Sequence, residues 1–442
     1  MSRPLSRRFI IATVPVAVAS LLLSGCGSLI SGSESKSSAG AQSFTYWSSW
    51  SEGEPQQKVL AKAIGEFTAD TGIKVDVQWV GRDNFKKLSP TLNASTTPVD
   101  LVDGAQRNIK SVMVDTGSAL DMGTVFDSKV DGEDKTVAQV IPKRYAELIE
   151  SKGNPWMVPY EVASSAFWYN KARLGDVAGH APETWADLVS MLQASKDAGR
   201  APLALDGDIA PYNLYYFAEL AVRELGAGGL NKAARDKTGE SFKSPGMLKA
   251  AQHVEELVKK GFFAPGYSGS KFPALQQQFA AGKADFMYNG SWIPSETASY
   301  LAPGFQFGSF PMPSTQPGGD DSAEAYLIGF AVPKKAAHAS AAEKFISYFL
   351  NKDRLAPIAT DAQNLTPRDD IPAPAALANV KKALDASKTL HGQFDGVVDD
   401  YSDWTTKVLQ PLDNELIFGK RDAQSFVDEL AKQTKDYWAA HG

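Results

Sequence analysis

The chain has 442 residues, 43% of them hydrophobic and 22% charged, with 45 Lys and Arg against 51 Asp and Glu for a formal charge of −6. This is ordinary globular composition, which excludes disorder, collagen and coiled coil as descriptions of the whole. An acidic balance also excludes nucleic acid as the main partner, because phosphate binding needs a dense cationic face. One cysteine excludes an internal disulfide, a cysteine-based zinc site and a CxxC redox centre.

The chain opens with Arg3, Arg7 and Arg8, followed by an uncharged run from Phe9 to Leu23. That run is short for a membrane span of about 20 residues and right for a signal-peptide core. It ends in Leu23-Ser24-Gly25-Cys26, which resembles the lipobox of bacterial lipoproteins and predicts residues 1–25 as a cleaved signal peptide with Cys26 lipidated. Ser6-Arg7-Arg8-Phe9 leaves Sec and twin-arginine export both open. Residues 27–43 hold seven Ser and three Gly with no periodic apolar face, which predicts a flexible tether over 26–43.

Phe44-Thr45-Tyr46-Trp47 reads as a strand, and Val59, Leu60, Ala63, Ile64 and Phe67 recur at helical spacing until Asp70-Thr71-Gly72. Ile73, Val75, Val77 and Trp79 alternate with polar residues as a half-buried strand does, and Val99–Val102 is a further strand. This order predicts an α/β layer with a mainly parallel sheet. Ser165–Tyr169 reads as a buried strand, and Pro182-Glu183-Thr184-Trp185 as a helix start with Pro in its first turn. Leu248, Ala251, Val254, Leu257 and Val258 mark a helix that Gly261 stops. Asp285–Tyr288 and Ile328–Val332 read as strands, Pro303–Gly319 as a connection, and the C-terminal region as helical, with Phe345, Ile346, Phe349, Phe426 and Leu430 facing inward.

Catalytic and metal signatures are weak. None of the five histidines has a partner at i+3 or i+4, no GxxxxGK[ST] is present, and Gly226-Ala227-Gly228-Gly229 fails the dinucleotide pattern. Asp206-Gly207-Asp208 and Asp320-Asp321 lack calcium-loop spacing. The nine Trp are more informative. An indole packs on the apolar C–H face of a sugar while neighbouring amides, hydroxyls and carboxylates meet its hydroxyls. Trp47 and Trp168 lie inside strand runs and read as core; Trp50, Trp292 and Trp404, at element ends beside polar residues, read as ligand-facing.

Several stretches, in order over about 330 residues, together resemble the extracellular solute-binding proteins of ABC importers, in the maltose-binding-protein-like sugar group. They are Phe67–Val75, Pro98–Val102, Phe167-Trp168-Tyr169-Asn170-Lys171 with Pro182–Leu188, Phe279–Phe286 ending in Asn289-Gly290-Ser291-Trp292, Phe330–Lys334, and Asn364-Leu365-Thr366-Pro367-Arg368. The resemblance implies a type II two-lobed periplasmic-binding-protein-like fold, the lobes joined by crossing strands with the ligand cleft between them. Lobe one would comprise 44–160 plus 312–360 and lobe two 161–305 plus 369–442. It implies a ligand site from Trp50, Ser51, Glu52, Asp103, Gln106, Arg107, Tyr160, Glu161, Tyr212, Asn289, Trp292 and Trp404. Where the family often has a Gly-rich stretch before a late strand, this chain has Tyr326-Leu327-Ile328, so the cleft there differs in shape.

The reading that follows is a monomeric lipoprotein on the outer face of the bacterial cytoplasmic membrane. It captures a mono- or oligosaccharide by hinge closure and delivers it to the transmembrane subunits of an ABC permease. No catalytic residue, metal or cofactor is expected, and ATP hydrolysis belongs to partner subunits, in keeping with the missing P-loop. The alternatives are the same fold binding a polyamine, an organophosphate or a metal chelate, and a secreted glycoside hydrolase, which needs two acids about 5–10 Å apart. Asp103, Glu161 and Asp403 keep the polyamine open, whereas only Arg82 and Arg107 are available for a phosphate.

Overall fold

The computed structural model describes residues 43–441; the leader, Cys26 and all but the last residue of the tether lie outside them. Among the described residues, thirteen strands occur in chain order: β1 Ser43–Ser48, β2 Lys74–Trp79, β3 Leu101–Ala105, β4 Glu150–Ser151, β5 Asn154–Pro155, β6 Val158–Ala163, β7 Ser165–Asn170, β8 Ala201–Ala204, β9 Ala284–Gly290, β10 Phe307–Phe310, β11 Ala323–Glu324, β12 Tyr326–Ala331 and β13 Leu390–His391. They form two main sheets, ordered β2-β1-β3-β12-β6 and β10-β7-β9-β8, with β11 beside β13 and a small β4–β5 hairpin.

The expectation of a mainly parallel sheet needs correction. β1 is parallel to β2 and β3, but β12 is antiparallel to both β3 and β6. In the second sheet only β8 and β9 run parallel. The reason is connectivity: β12 enters the first sheet from the other sheet, so no local crossover helix imposes a parallel return. The chain passes from first sheet to second at Ser164, between β6 and β7, and returns between β10 and β12. An isolated bridge from Val162 to Leu365 marks a third strand-like passage beside them. The expected boundary at residue 160 therefore falls inside β6, which stays in the first sheet through Ala163.

Packing follows the residue pattern. The helix Pro55–Thr71 starts on a proline, which costs no hydrogen bond there, and ends at Gly72, whose φ of 73° suits a residue without a Cβ. It buries Val59, Leu60, Ala63, Ile64 and Phe67 beside the helix Ala339–Phe349, which buries Phe345, Ile346 and Phe349. In the second sheet, alternate residues feed opposite faces. Phe167, Tyr169, Phe286 and Tyr288 pack with the helices Ala210–Leu225, Pro245–Lys259 and Ala423–His441. Ala166, Trp168 and Met287 face the other way and join a core continuous with that of the first sheet. Both faces being covered explains why β7 and β9 read as unbroken apolar runs.

Two local expectations change. Thr184, not a first-turn proline, caps the helix Trp185–Asp197, in a reciprocal box with Asp187. The stretch Pro303–Gly319 contains β10, an edge strand paired antiparallel with β7.

Candidate functional site

A cavity of about 500 Å³ lies between β6 and β12 of the first sheet on one side and, on the other, the start of the helix Ala210–Leu225 and the residues just past β9. Trp50 enters it from the loop after β1. Its indole Nε1 donates to the Tyr160 hydroxyl (2.7 Å), which donates to Asp103 Oδ2 (2.6 Å). Asp103 also accepts from the Ser49 amide (2.6 Å) and the Ser48 hydroxyl (3.2 Å). Burial pushes the Asp103 carboxyl up, and the hydrogen bonds from Tyr160, Ser49 and Ser48 partly offset it. The Arg82 guanidinium stands 4.6 Å over the Trp50 ring, held by two bonds to Glu54 (3.0 and 3.1 Å) and by the Ser49 carbonyl. Trp50 is thus fixed at its N–H and over one face.

The opposite wall carries Trp292, just past β9, and Tyr212, in the first turn of the helix Ala210–Leu225. Their ring centroids are 6.5 Å apart with planes 29° from parallel. Trp292 folds back over Gly290 so closely that a Cβ there would sit 2.3 Å from the indole; only glycine permits this approach. Trp292 Nε1 is buried and has no hydrogen-bond partner among the described residues.

The floor comes from β6 and β12. The pairing shifts between Ile328 and Gly329, which lie opposite Glu161 and Pro159, so Tyr160 is the extra residue of a β-bulge. The bulge accommodates a proline that cannot donate to the ladder. It leaves Tyr160 packed on Phe330 and Phe349 in the core and Glu161 on the cavity with Ala163, Tyr326 and Ile328. Glu161 is almost fully buried and accepts from Gln56 Nε2 at 3.3 Å; burial pushes its carboxyl up to about 8. Arg107 donates to Gln393 Oε1 (2.8 Å) and lies over Tyr326 (5.5 Å), while Gln393 Nε2 donates to the Tyr215 hydroxyl (2.7 Å). A chain of polar contacts therefore runs under the cavity from one lobe to the other.

Of the residues expected at a ligand site, Trp50, Arg107, Glu161, Tyr212 and Trp292 line this cavity together. Asp103 and Tyr160 lie one layer behind, holding Trp50. Ser51 and Glu52 are exposed on the loop beyond it. Gln106 turns away, donating to Asp399 Oδ2 (3.1 Å) beside a second cavity of about 450 Å³. Burial and the neighbouring Asp400 push the Asp399 carboxyl up to about 7. Asn289 is fully buried in β9, its Oδ1 accepting from the Gly290 amide (2.8 Å). Trp404 is corrected outright. It has no exposed surface, stacks on Phe242 at 5.7 Å and donates from Nε1 to Thr434 Oγ1 (3.1 Å). Ser402 and Asp403, just before it in sequence, face solvent while the indole faces the helical core. The sequence reading missed Gln56, Tyr215, Tyr326, Glu296 and Gln393 as cavity residues. Tyr326 carried a signal, since it replaces small residues in a stretch expected to shape the cleft.

A family model for bacterial extracellular solute-binding proteins matches residues 49–354, well over half the chain, and the chain belongs to that family. It is similar to a multiple sugar-binding protein of Streptococcus mutans, 25% identical over 218 residues, 47% of this chain and 50% of that protein. A probable sugar-binding periplasmic protein of Mesorhizobium japonicum is 28% identical over 215 residues, 48% of this chain and 50% of that one. The match thus spans about half the length of these curated relatives. Among solved structures, a chitin oligosaccharide binding protein superposes with a TM-score of 0.73 at 20% identity, covering 90% of this chain and 99% of that chain. The fold is the two-lobed one of type II periplasmic binding proteins.

Proposed function

We propose that this protein is the capture component of an ABC importer, holding a carbohydrate between Trp50 and Trp292 and passing it to a membrane permease. The observation that carries the reading is the composition of the cavity. Trp50, Trp292, Tyr212, Tyr215 and Tyr326 bring flat rings to a cleft whose polar groups are amides, carboxyls, guanidiniums and a serine hydroxyl, with small and aliphatic side chains between them. Such a surface suits a ligand with alternating C–H faces and hydroxyls. Relatives named as sugar-binding proteins agree with this reading.

The charges argue against the other ligands. Glu54 is engaged by Arg82, Glu161 holds its proton to about pH 8, and burial pushes the Glu296 carboxyl up as well, so among the described residues the cavity offers a polyamine no cluster of free carboxylates. Arg82 is paired with the Glu54 carboxylate, so Arg107, bonded only to the neutral Gln393 amide, faces the cavity without the second free guanidinium that a phosphate site wants.

On this reading the ligand leaves unchanged, Cys26 carries the lipid that tethers the chain to the outer face of the cytoplasmic membrane, and the lobes close around the sugar as a monomer. A thermal-shift screen against mono- and oligosaccharides tests it, since a ligand of the native state raises the melting point by mass action. Mass spectrometry of the recovered ligand must show it uncut. A screen that leaves the melting point unmoved by any saccharide, or cleavage of a ligand that binds, overturns the reading. Cys26→Ser should release the protein from the membrane fraction.

A further inference from the structure

Among the described residues, the charges that line the main cavity do not cancel. They are the carboxyls of Glu54, Glu161 and Glu296 and the guanidiniums of Arg82 and Arg107. Glu54 and Arg82 satisfy each other through two bonds (3.0 and 3.1 Å). Glu161 and Glu296 each accept from a neutral amide, Gln56 at 3.3 Å and Gln276 at 3.2 Å. Burial pushes both carboxyls up, Glu161 to about 8, so neither brings a full negative charge to the cavity near neutral pH.

Arg107 is left over. It donates from Nη1 to Gln393 Oε1 (2.8 Å) and its guanidinium stands 5.5 Å from the centre of the Tyr326 ring. Both partners are neutral, and among the described residues Arg107 makes no ion pair. It feels the charge of Asp399, but that carboxyl is engaged by Gln106 (3.1 Å) in the wall of the second cavity. Burial and the neighbouring Asp400 push the Asp399 carboxyl up to about 7, so much of its charge is gone near neutral pH. A guanidinium has five N–H donors and cannot shed its proton. Held half-buried without a counter-charge, it disfavours the empty site and favours an anion that enters it.

A hydroxyl of a neutral sugar can accept from Arg107, but it leaves the charge unopposed. A carboxylate accepts from two guanidinium nitrogens at once and neutralises it. In a uronate ring the carboxylate projects from the edge, so both C–H faces stay free to stack on Trp50 and Trp292. We propose that the ligand is an acidic saccharide, whose uronate carboxylate pairs with Arg107 beside Tyr326 while its ring lies between the two tryptophans. The inference rests on the carbohydrate reading and deepens it by naming the class of sugar.

The test is calorimetric titration near neutral pH with galacturonates and glucuronates of one to three rings, with their methyl esters, and with cellobiose and maltotriose as neutral references. Esterification removes the charge and keeps the sugar skeleton. The parent should bind a free acid about tenfold or more tightly than its ester, the worth of one charge-assisted bidentate contact. Arg107→Gln should bring that ratio down to about one, whatever its absolute affinities. Arg107→Lys, which keeps the charge and loses the fork, should retain part of it. A general disturbance of the cavity weakens acid and ester alike, so a ratio that survives in Arg107→Gln overturns the assignment. Equal affinity of the parent for acid and ester overturns the acidic class, as does binding of neutral saccharides without any of the acids; the carbohydrate reading survives both results. If no saccharide binds, acidic or neutral, the carbohydrate reading itself falls.

Discussion

At the scale of single residues, the cavity's least ordinary group is Glu161. Its carboxyl is buried against an amide and titrates at about 8, where an unfolded chain's glutamate titrates at 4.5. Below about 4.5 both states hold the proton and the group is neutral for stability. Between there and about 8 the folded state keeps a proton the unfolded chain has released, so stability falls as pH rises. Above about 8 a charged carboxylate is buried at full cost, on the order of a few kcal/mol. Glu161→Gln should therefore match the parent's melting temperature near pH 5 and exceed it increasingly toward pH 9. Parallel melting profiles across that range would refute the assignment. Trp292 is tested differently. If its ring holds the ligand, Trp292→Ala should lower affinity by about tenfold or more and remove most of the ligand-induced fluorescence change, with the far-ultraviolet spectrum unchanged. An affinity equal to the parent's would take Trp292 out of the site. Trp50, Trp292 and Trp404 looked alike in sequence, each at an element end beside polar residues, and two of the three line the cavity. What separates Trp404 is where its side chain goes, onto Phe242 and Thr434, both far away in the chain. Neighbours along the sequence carry no record of such a contact.

At the scale of elements, periodicity was informative where one face meets one core. The helix Pro55–Thr71 and the strands β1, β2, β7 and β9 lie where their apolar spacing predicts. Edges and irregularities were not legible. β10 sits in a Pro- and Gly-rich stretch because an edge strand needs partners on one side only. The bulge in β6 was invisible, because it is a property of how β6 and β12 pair and neither strand shows it alone. It nevertheless decides which side chain reaches the cavity. Gly329, opposite Pro159, lies so close to β6 that a Cβ would stand 2.4 Å from the Val158 carbonyl oxygen and 2.7 Å from Pro159 Cα. Both are backbone atoms and cannot swing aside. Gly329→Ala should thus destabilise the protein by roughly 1–3 kcal/mol, as overpacking does. It should also shift the pH profile attributed to Glu161, since the strand that aims the carboxyl must move. A variant that melts and titrates like the parent would show that the bulge absorbs the methyl.

At the scale of the whole molecule, one helical turn ties the two lobes together. From the stretch Gln106–Val114, Gln106 donates to Asp399 (3.1 Å), Arg107 to Gln393 (2.8 Å), and Lys110 pairs with Asp400 (3.1 Å). The acceptors share the segment Gln393–Asp400, whose Phe394 and Val397 pack in the core of the second sheet. Each such contact contributes about 1 kcal/mol or less, the exposed ion pair least. Together they are comparable to the free energy that shifts a two-state equilibrium tenfold. On the proposed hinge, they favour the arrangement seen here over a more open one before any ligand arrives, and apparent affinity scales with the fraction of molecules already competent to bind. The double variant Gln106→Ala, Lys110→Ala isolates this effect, because neither side chain lines the main cavity. Small-angle scattering of the ligand-free variant should give a larger radius of gyration than the parent, and saturation with a saccharide that binds should bring the two curves together. Affinity should fall several-fold with no ligand contact removed, the signature of a smaller binding-competent population. Coincident ligand-free curves would mean that backbone geometry at Ser164 and Leu365, and not the polar contacts of this turn, sets how far apart the lobes rest.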